Sequence, residues 1–191
     1  MDQKQTSLPF TVPPSLAHYL CPPPELSLPT NKPVDRFLAS TAVFDASNRI
    51  LLLQRSPTAG WPLKWEIPGG SVELADESVL HAAARELREE AGLLVSRFVA
   101  CVDEGGQVWI DDDPGKDWVW CRLAFVVEVE AGEVVLCERE HGESVWAGEE
   151  EVRSGVAAGK ELGFVSEGMR EILLGAFRVK REVDRERGGG P

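Results

Sequence analysis

Residues 37–44, Phe-Leu-Ala-Ser-Thr-Ala-Val-Phe, carry no charge and predict a first strand. Asp45-Ala46-Ser47-Asn48 reads as a turn, and residues 49–54 as a second strand paired with the first in a hairpin. Residues 65–68 predict a short extended piece that stops at Gly69-Gly70. The clearest helix covers residues 76–91. There Leu80, Ala83, Ala84, Leu87 and Ala91 fall at offsets 0, 3, 4, 7 and 11 and make one apolar face. Gly92 follows where a helix end favours a residue tolerant of positive φ. Three more strands are expected at residues 94–102, 117–129 and 132–138, and a last helix at 166–179 with Ile172, Leu173 and Ala176 in its stripe. Strands around a central helix, closed by a terminal helix, predict an α/β fold with a mixed sheet covered on both faces.

The flanks differ from this pattern. Eight prolines fall within residues 1–34, so this segment is expected as an arm laid over the domain or a free tail, with Leu16, Tyr19 and Leu20 as anchors. Residues 35–182 form the domain, and 183–191, ending Gly-Gly-Gly-Pro, are expected to be disordered. At 191 residues with 43% hydrophobic content, the chain suits a single folded domain. Its net charge of −12 speaks against gripping nucleic acid by the phosphates, and admits an anionic substrate only through cations or a local basic patch. No apolar run is long enough to span a bilayer, and no secretory leader is expected. Cys21, Cys101, Cys121 and Cys137 lack zinc spacing and read as free thiols of a cytoplasmic protein. The acidic run 111–117 lacks calcium-loop spacing and reads as a solvated turn.

The chemistry concentrates in Arg85-Glu86-Leu87-Arg88-Glu89-Glu90-Ala91-Gly92-Leu93. At about 100° per residue, Glu86, Glu89 and Glu90 share one side of the helix. Crowded carboxylates repel unless a cation neutralises them, and oxygen donors suit Mg²⁺ or Mn²⁺. A solvated acidic face explains the same spacing equally well. The Pro-Gly-Gly turn upstream, where backbone can approach a metal or phosphate closely, tips the balance toward a site.

From Gly70 to Leu93 the chain resembles the Nudix box, G-x5-E-x7-R-E-U-x-E-E-x-G-U, with U a bulky aliphatic. The second half matches at every specified position. The first half is one residue long, since six residues separate Gly70 from Glu77. Residues 51–56, 65–70 and the Glu140-His141…Val145-Trp146 stretch resemble further parts of the family. The resemblance implies an α/β/α sandwich with a mixed central sheet. It implies Mg²⁺-dependent (or Mn²⁺-dependent) hydrolysis of a small-molecule nucleoside diphosphate linked to another group. The acidic charge and the lack of a long apolar run add the expectation of no nucleic-acid or membrane partner; a homodimer is left open. The resemblance places Glu86, Glu89 and Glu90 as metal ligands with the Gly70 carbonyl, Arg85 as the residue that orients them, and Glu77 in the same charge network. Glu140 and Glu143 are loop candidates for activating water, and Arg55 and Arg122 for contacting phosphate. Of the six tryptophans, some are expected in the core and any could stack on a base. A nucleotide-sensing module that does not cleave is the alternative. The isomerase branch of the fold is disfavoured, because His18, His81 and His141 and the cysteines are scattered.

Overall fold

The computed structural model describes residues 9–29, 33–111 and 115–188. A mixed sheet is built on β1 (Arg36–Val43) and β7 (Val119–Val129), which run parallel from the pair Arg36 and Trp120 to the pair Val43 and Val127. β4 (Gly69–Ser71) lies antiparallel on the far side of β1, while β5 (Val95–Cys101) and β6 (Gln107–Ile110) both pair antiparallel with β7. A second sheet sets β2 (Ile50–Arg55) between β3 (Trp65–Glu66) and β8 (His141–Ala147). The short strands β9 (Val156–Ala157) and β10 (Lys160–Glu161) pair with each other.

The expected hairpin of the first two strands is corrected. β1 and β2 belong to different sheets and share only the bridge between Phe44 and Ile50. The uninterrupted apolar run of β2 explains this, because it serves two cores. Leu51 and Leu53 join the core under α1 (Val79–Ala91), whereas Ile50 and Leu52 join the core under α3 (Glu167–Gly188). In the first core Leu80 and Leu87 are wholly buried against Ala39, Leu123 and Phe125, each worth about 2 kcal/mol of transfer energy. In the second, Met169, Leu173 and Phe177 meet Ala42 and Val126. Helices on both faces complete the α/β/α sandwich. Among the described residues no helix is long and apolar enough to cross a membrane.

Residues 132–138 form no strand. Their backbone donors go instead to the end of α1, where the Val135 and Cys137 N–H groups donate to the Ala91 and Glu90 carbonyls at 2.9 and 3.2 Å. These carbonyls have no partner within the helix. Gly92 takes the left-handed conformation (φ 68°) that closes the helix. The helix begins at Val79, three residues later than expected, because Ser78 is extended and caps it, its Oγ accepting from the His81 N–H at 3.4 Å. β6, β8, β9, β10 and the helix α2 (Glu149–Ser154) were not expected. α3 continues nine residues beyond its expected end at 179, through Gly188. Residues 183–188 are therefore helical rather than disordered, in a stretch supported by the Lys180–Asp184 pair one turn apart. Residues 189–191, and 112–114 at the centre of the expected solvated turn, lie outside the described residues.

The described part of the proline-rich segment packs on the domain. It forms short 3-10 turns at Pro14–Leu20 and Pro23–Glu25. Thr11 adds to the edge of β5, donating to Ser96 and accepting from Phe98 at 3.0 and 2.9 Å. Phe10, Leu16 and Tyr19 are buried in the α1 core, and Leu20 packs partly against it. Residues 1–8 and 30–32 of the expected arm lie outside the described residues.

Candidate active site

β4 and α1 meet at the glycine pair. A Cβ on Gly70 would stand 2.6 Å from Glu86 Oε1, so only a bare backbone fits beside that carboxylate. The Gly69 N–H donates to Glu90 Oε2 at 2.7 Å. Glu86 and Glu90, one helical turn apart, are thus both buried against the strand. Burial drives the Glu90 carboxyl up to about 9, with the negative charges of Glu66, Glu86 and Glu140 adding to it and the Gly69 bond only partly offsetting it. Burial likewise raises Glu86, against the opposing pull of Arg85. Glu89 points outward, its side chain 57% exposed.

Arg85 ties the cluster together. Its Nη1 reaches Glu86 at 2.8 Å and Glu89, one helical turn on, at 3.1 Å. Its Nη2 donates to the Ser71 carbonyl at 3.0 Å. The remaining partner corrects the sequence reading. Asp76, not Glu77, binds Arg85 in a two-pronged contact of 3.0 and 2.9 Å. Glu77 is 77% exposed and reaches only His81, at 3.7 Å. Five residues separate Gly70 from Asp76, so the glycine-to-acid spacing of the box is kept and the added residue falls after the acid. A turn in which the Asp76 N–H donates to the Glu73 carbonyl, and the Glu73 N–H to Asp76 Oδ2, fixes this carboxylate.

Beyond α1 the structure brings in two buried groups that sequence reasoning did not assign, Glu66 and His141. His141 is wholly buried, with Nε2 3.4 Å from Glu66 Oε1 and Nδ1 3.9 Å from Glu90 Oε1. Arg55 pairs with Glu66 rather than standing free. Burial alone would raise the Glu66 carboxyl; the hydrogen bond from His141 and the Arg55 charge outweigh it and hold the group below the usual range. Arg122 shares this neighbourhood, and its charge is felt at Glu66. Glu140 borders the cluster, repelling both Glu86 and Glu90. Glu143 is not part of it, because it pairs with Lys160 across β8 and β10. The signal for Glu66 was present as a lone acid in an otherwise apolar extended piece, Trp-Glu-Ile-Pro. His141 carried no such signal, since its burial depends on β8 pairing with β2.

As they stand, no three His, Cys, Asp or Glu side chains among the described residues are grouped to hold an ion. Glu86 and Glu89 are turned to Arg85, and Glu90 to the Gly69 N–H. The donor chemistry nevertheless fits a hard divalent cation. Glu86, Glu89, Glu90 and the Gly70 carbonyl offer only oxygens, and burial disfavours the charged forms of Glu86 and Glu90, a cost that a cation would relieve.

A family model described as NUDIX domain matches residues 36–165. The chain belongs to the Nudix hydrolase family. Over 154 residues this Nudix chain is 27% identical to an uncharacterized Nudix hydrolase, YvcI, of Bacillus subtilis, a match covering 76% of this chain and 88% of that protein. It is 38% identical over 88 residues to the ADP-ribose pyrophosphatase of Mycobacterium tuberculosis, covering 45% of this chain and 39% of that protein. Its fold is shared with a MutT protein from Methanosarcina mazei at a TM-score of 0.57 and 24% identity, covering 83% and 98% of the two chains.

Proposed function

We propose that this Nudix enzyme hydrolyses the diphosphate linkage of a small nucleoside diphosphate derivative with the help of Mg²⁺ or Mn²⁺. One observation carries the reading. Glu86 and Glu90 are buried one turn apart against glycine backbone, where burial and neighbouring carboxylates disfavour their charged forms unless a cation joins them. Glu86, Glu89 and Glu90 with the Gly70 carbonyl would hold the cation, which would neutralise phosphate oxygens and acidify a bound water. The chain's own groups do the rest. Arg85, fixed by Asp76 and the Ser71 carbonyl, sets the rotamers of Glu86 and Glu89. A carboxylate at the rim, Glu89 or Glu140, takes the proton of the attacking water as the bridging P–O bond breaks. Arg55 keeps Glu66 charged and in place beneath the site.

The test is a hydrolysis screen over nucleotide sugars including ADP-ribose, dinucleoside polyphosphates, NADH, oxidised nucleotides and inositol pyrophosphates, with Mg²⁺ or Mn²⁺. Glu89→Gln and Glu90→Gln should each lower the rate about 100-fold or more, and EDTA should abolish it. Full rates in both variants would discard the site assignment. Binding of a nucleotide with no cleavage of any of these compounds would favour a sensing module.

A further inference from the structure

Between α2, α3 and the turn that follows β5 lies a cavity of about 470 Å³, within the size range of small-molecule sites. Its floor includes the buried apolar side chains of Val102 and Ile172. Gly175 sets its depth. A Cβ there would stand 2.8 Å from Val102 Cγ1, so α3 comes this close to the end of β5 only with a bare backbone. No residue around this cavity belongs to the carboxylate cluster of Glu66, Glu86, Glu89 and Glu90.

The walls are charged, and along α3 the two signs are separated. Glu171 stands two turns before Arg178, and Arg178 one turn before Arg181. Arg153 of α2 adds a third guanidinium beside Arg181, because Glu149 pairs with both, with Arg153 at 2.7 Å. Arg153 also reaches Glu150, at 3.5 Å. Arg178 has no ion pair or hydrogen bond among the described residues. It does not extend away from the protein; its Nη2 lies 3.9 Å from where a Gly175 Cβ would be, so its guanidinium folds back over the cavity. Glu171 is likewise unpaired among the described residues. The remaining polar groups are spent. Asp103 accepts from the Gly105 N–H at 3.1 Å, and Gln107 donates to the Gly168 carbonyl at 2.7 Å.

In a chain of net charge −12 an anion is held only where cations gather. Here three guanidinium groups share Glu149. One guanidinium fork fills both oxygens of a carboxylate, so two forks on one anion suit the several oxygens of a phosphate. The unpaired carboxylate of Glu171, at the other end, accepts from hydroxyl groups.

We propose that this cavity binds a small phosphorylated polyhydroxy compound. Its phosphate lies on Arg178 and Arg181, its hydroxyls on Glu171, and its carbon skeleton on Val102 and Ile172. The site does not depend on the hydrolase reading, so either can fail alone.

Calorimetric titration of the full chain in EDTA, which keeps cations from the carboxylate cluster, tests the proposal with four probes. Glucose 6-phosphate should bind, inorganic phosphate at least tenfold more weakly, and glucose and acetate not measurably. Arg178→Gln should weaken both phosphate compounds about tenfold or more, with Arg178→Lys recovering part of the loss. Glu171→Gln should weaken glucose 6-phosphate and not inorganic phosphate. Both side chains are exposed and unpaired, so these variants should keep the wild-type thermal midpoint. Glu89→Gln should bind both compounds as the wild type does. The proposal is overturned if neither phosphate compound binds, if Arg178→Gln leaves their affinity unchanged, or if acetate binds as tightly as inorganic phosphate. Loss of binding in Glu89→Gln also overturns it, because the anion would then belong to the carboxylate cluster.

Discussion

Asp76 has one methylene fewer than glutamate, yet it receives both prongs of the Arg85 guanidinium. Burial would raise its carboxyl, but the Arg85 hydrogen bond and charge hold it below the usual range. Asp76→Asn removes a charged partner and leaves Arg85 with Glu86, Glu89 and the Ser71 carbonyl; a loss of about 1.5–3 kcal/mol in urea unfolding is expected, together with a fall in kcat. Glu77→Gln, on an exposed side chain, should change neither by a measurable amount. Equal effects of the two would show that the loop is placed differently. Gly70→Ala is a second test at this scale. A methyl 2.6 Å from Glu86 Oε1 must push the carboxylate away, so activity should fall while far-UV circular dichroism stays unchanged. The register of Arg85, Glu86, Glu89 and Glu90 was readable because helix geometry is fixed by the backbone. The partner of Arg85 was not, because an added loop residue can be absorbed at several points, and only the Glu73–Asp76 turn decides which.

The elements that the apolar pattern announced most strongly, α1, β2 and β7, are present. The pattern failed where one strand serves two cores, as in β2, and where backbone donors are taken by a helix end, as at residues 132–138. β8 was hidden for a related reason: His141-Gly-Glu-Ser is polar, and its burial comes from pairing with β2. The arm is the element with the most measurable consequence. Phe10 meets Phe98 edge-on at 4.9 Å, and Tyr19 meets Phe125 at 5.2 Å. Phe10→Ala should cost about 3–5 kcal/mol in urea unfolding, far more than a loosely attached tail would. The same packing shields thiols. Burial pushes Cys121 up to about 12 and raises Cys101, whose Sγ lies 3.6 Å from the Tyr19 hydroxyl. Iodoacetamide at neutral pH should therefore modify Cys21 and Cys137 first, as read by mass spectrometry, and reach Cys101 and Cys121 only on unfolding.

At the scale of the molecule, Glu149 at the start of α2 links two helices, pairing with Arg153 of α2 and Arg181 of α3. Burial would raise its carboxyl, but the two guanidinium groups hold it below its ordinary 4.5. The folded state thus binds this proton less readily than the unfolded chain. The pair contributes stability above 4.5 and loses it as pH falls through the lowered value. Glu149→Gln should be less stable than the parent at pH 7, and the difference should vanish in acid; a constant gap across the pH range in denaturant titrations would discount the link. The family-matched stretch, residues 36–165, contains every residue assigned to the chemistry but neither the arm nor α3. Cutting the gene at those limits would strip Phe10, Leu16 and Tyr19 from one core and Met169, Leu173 and Phe177 from the other. Both greasy faces of the sandwich would be laid bare at once, and such a fragment should precipitate during expression even though its catalytic motif is whole.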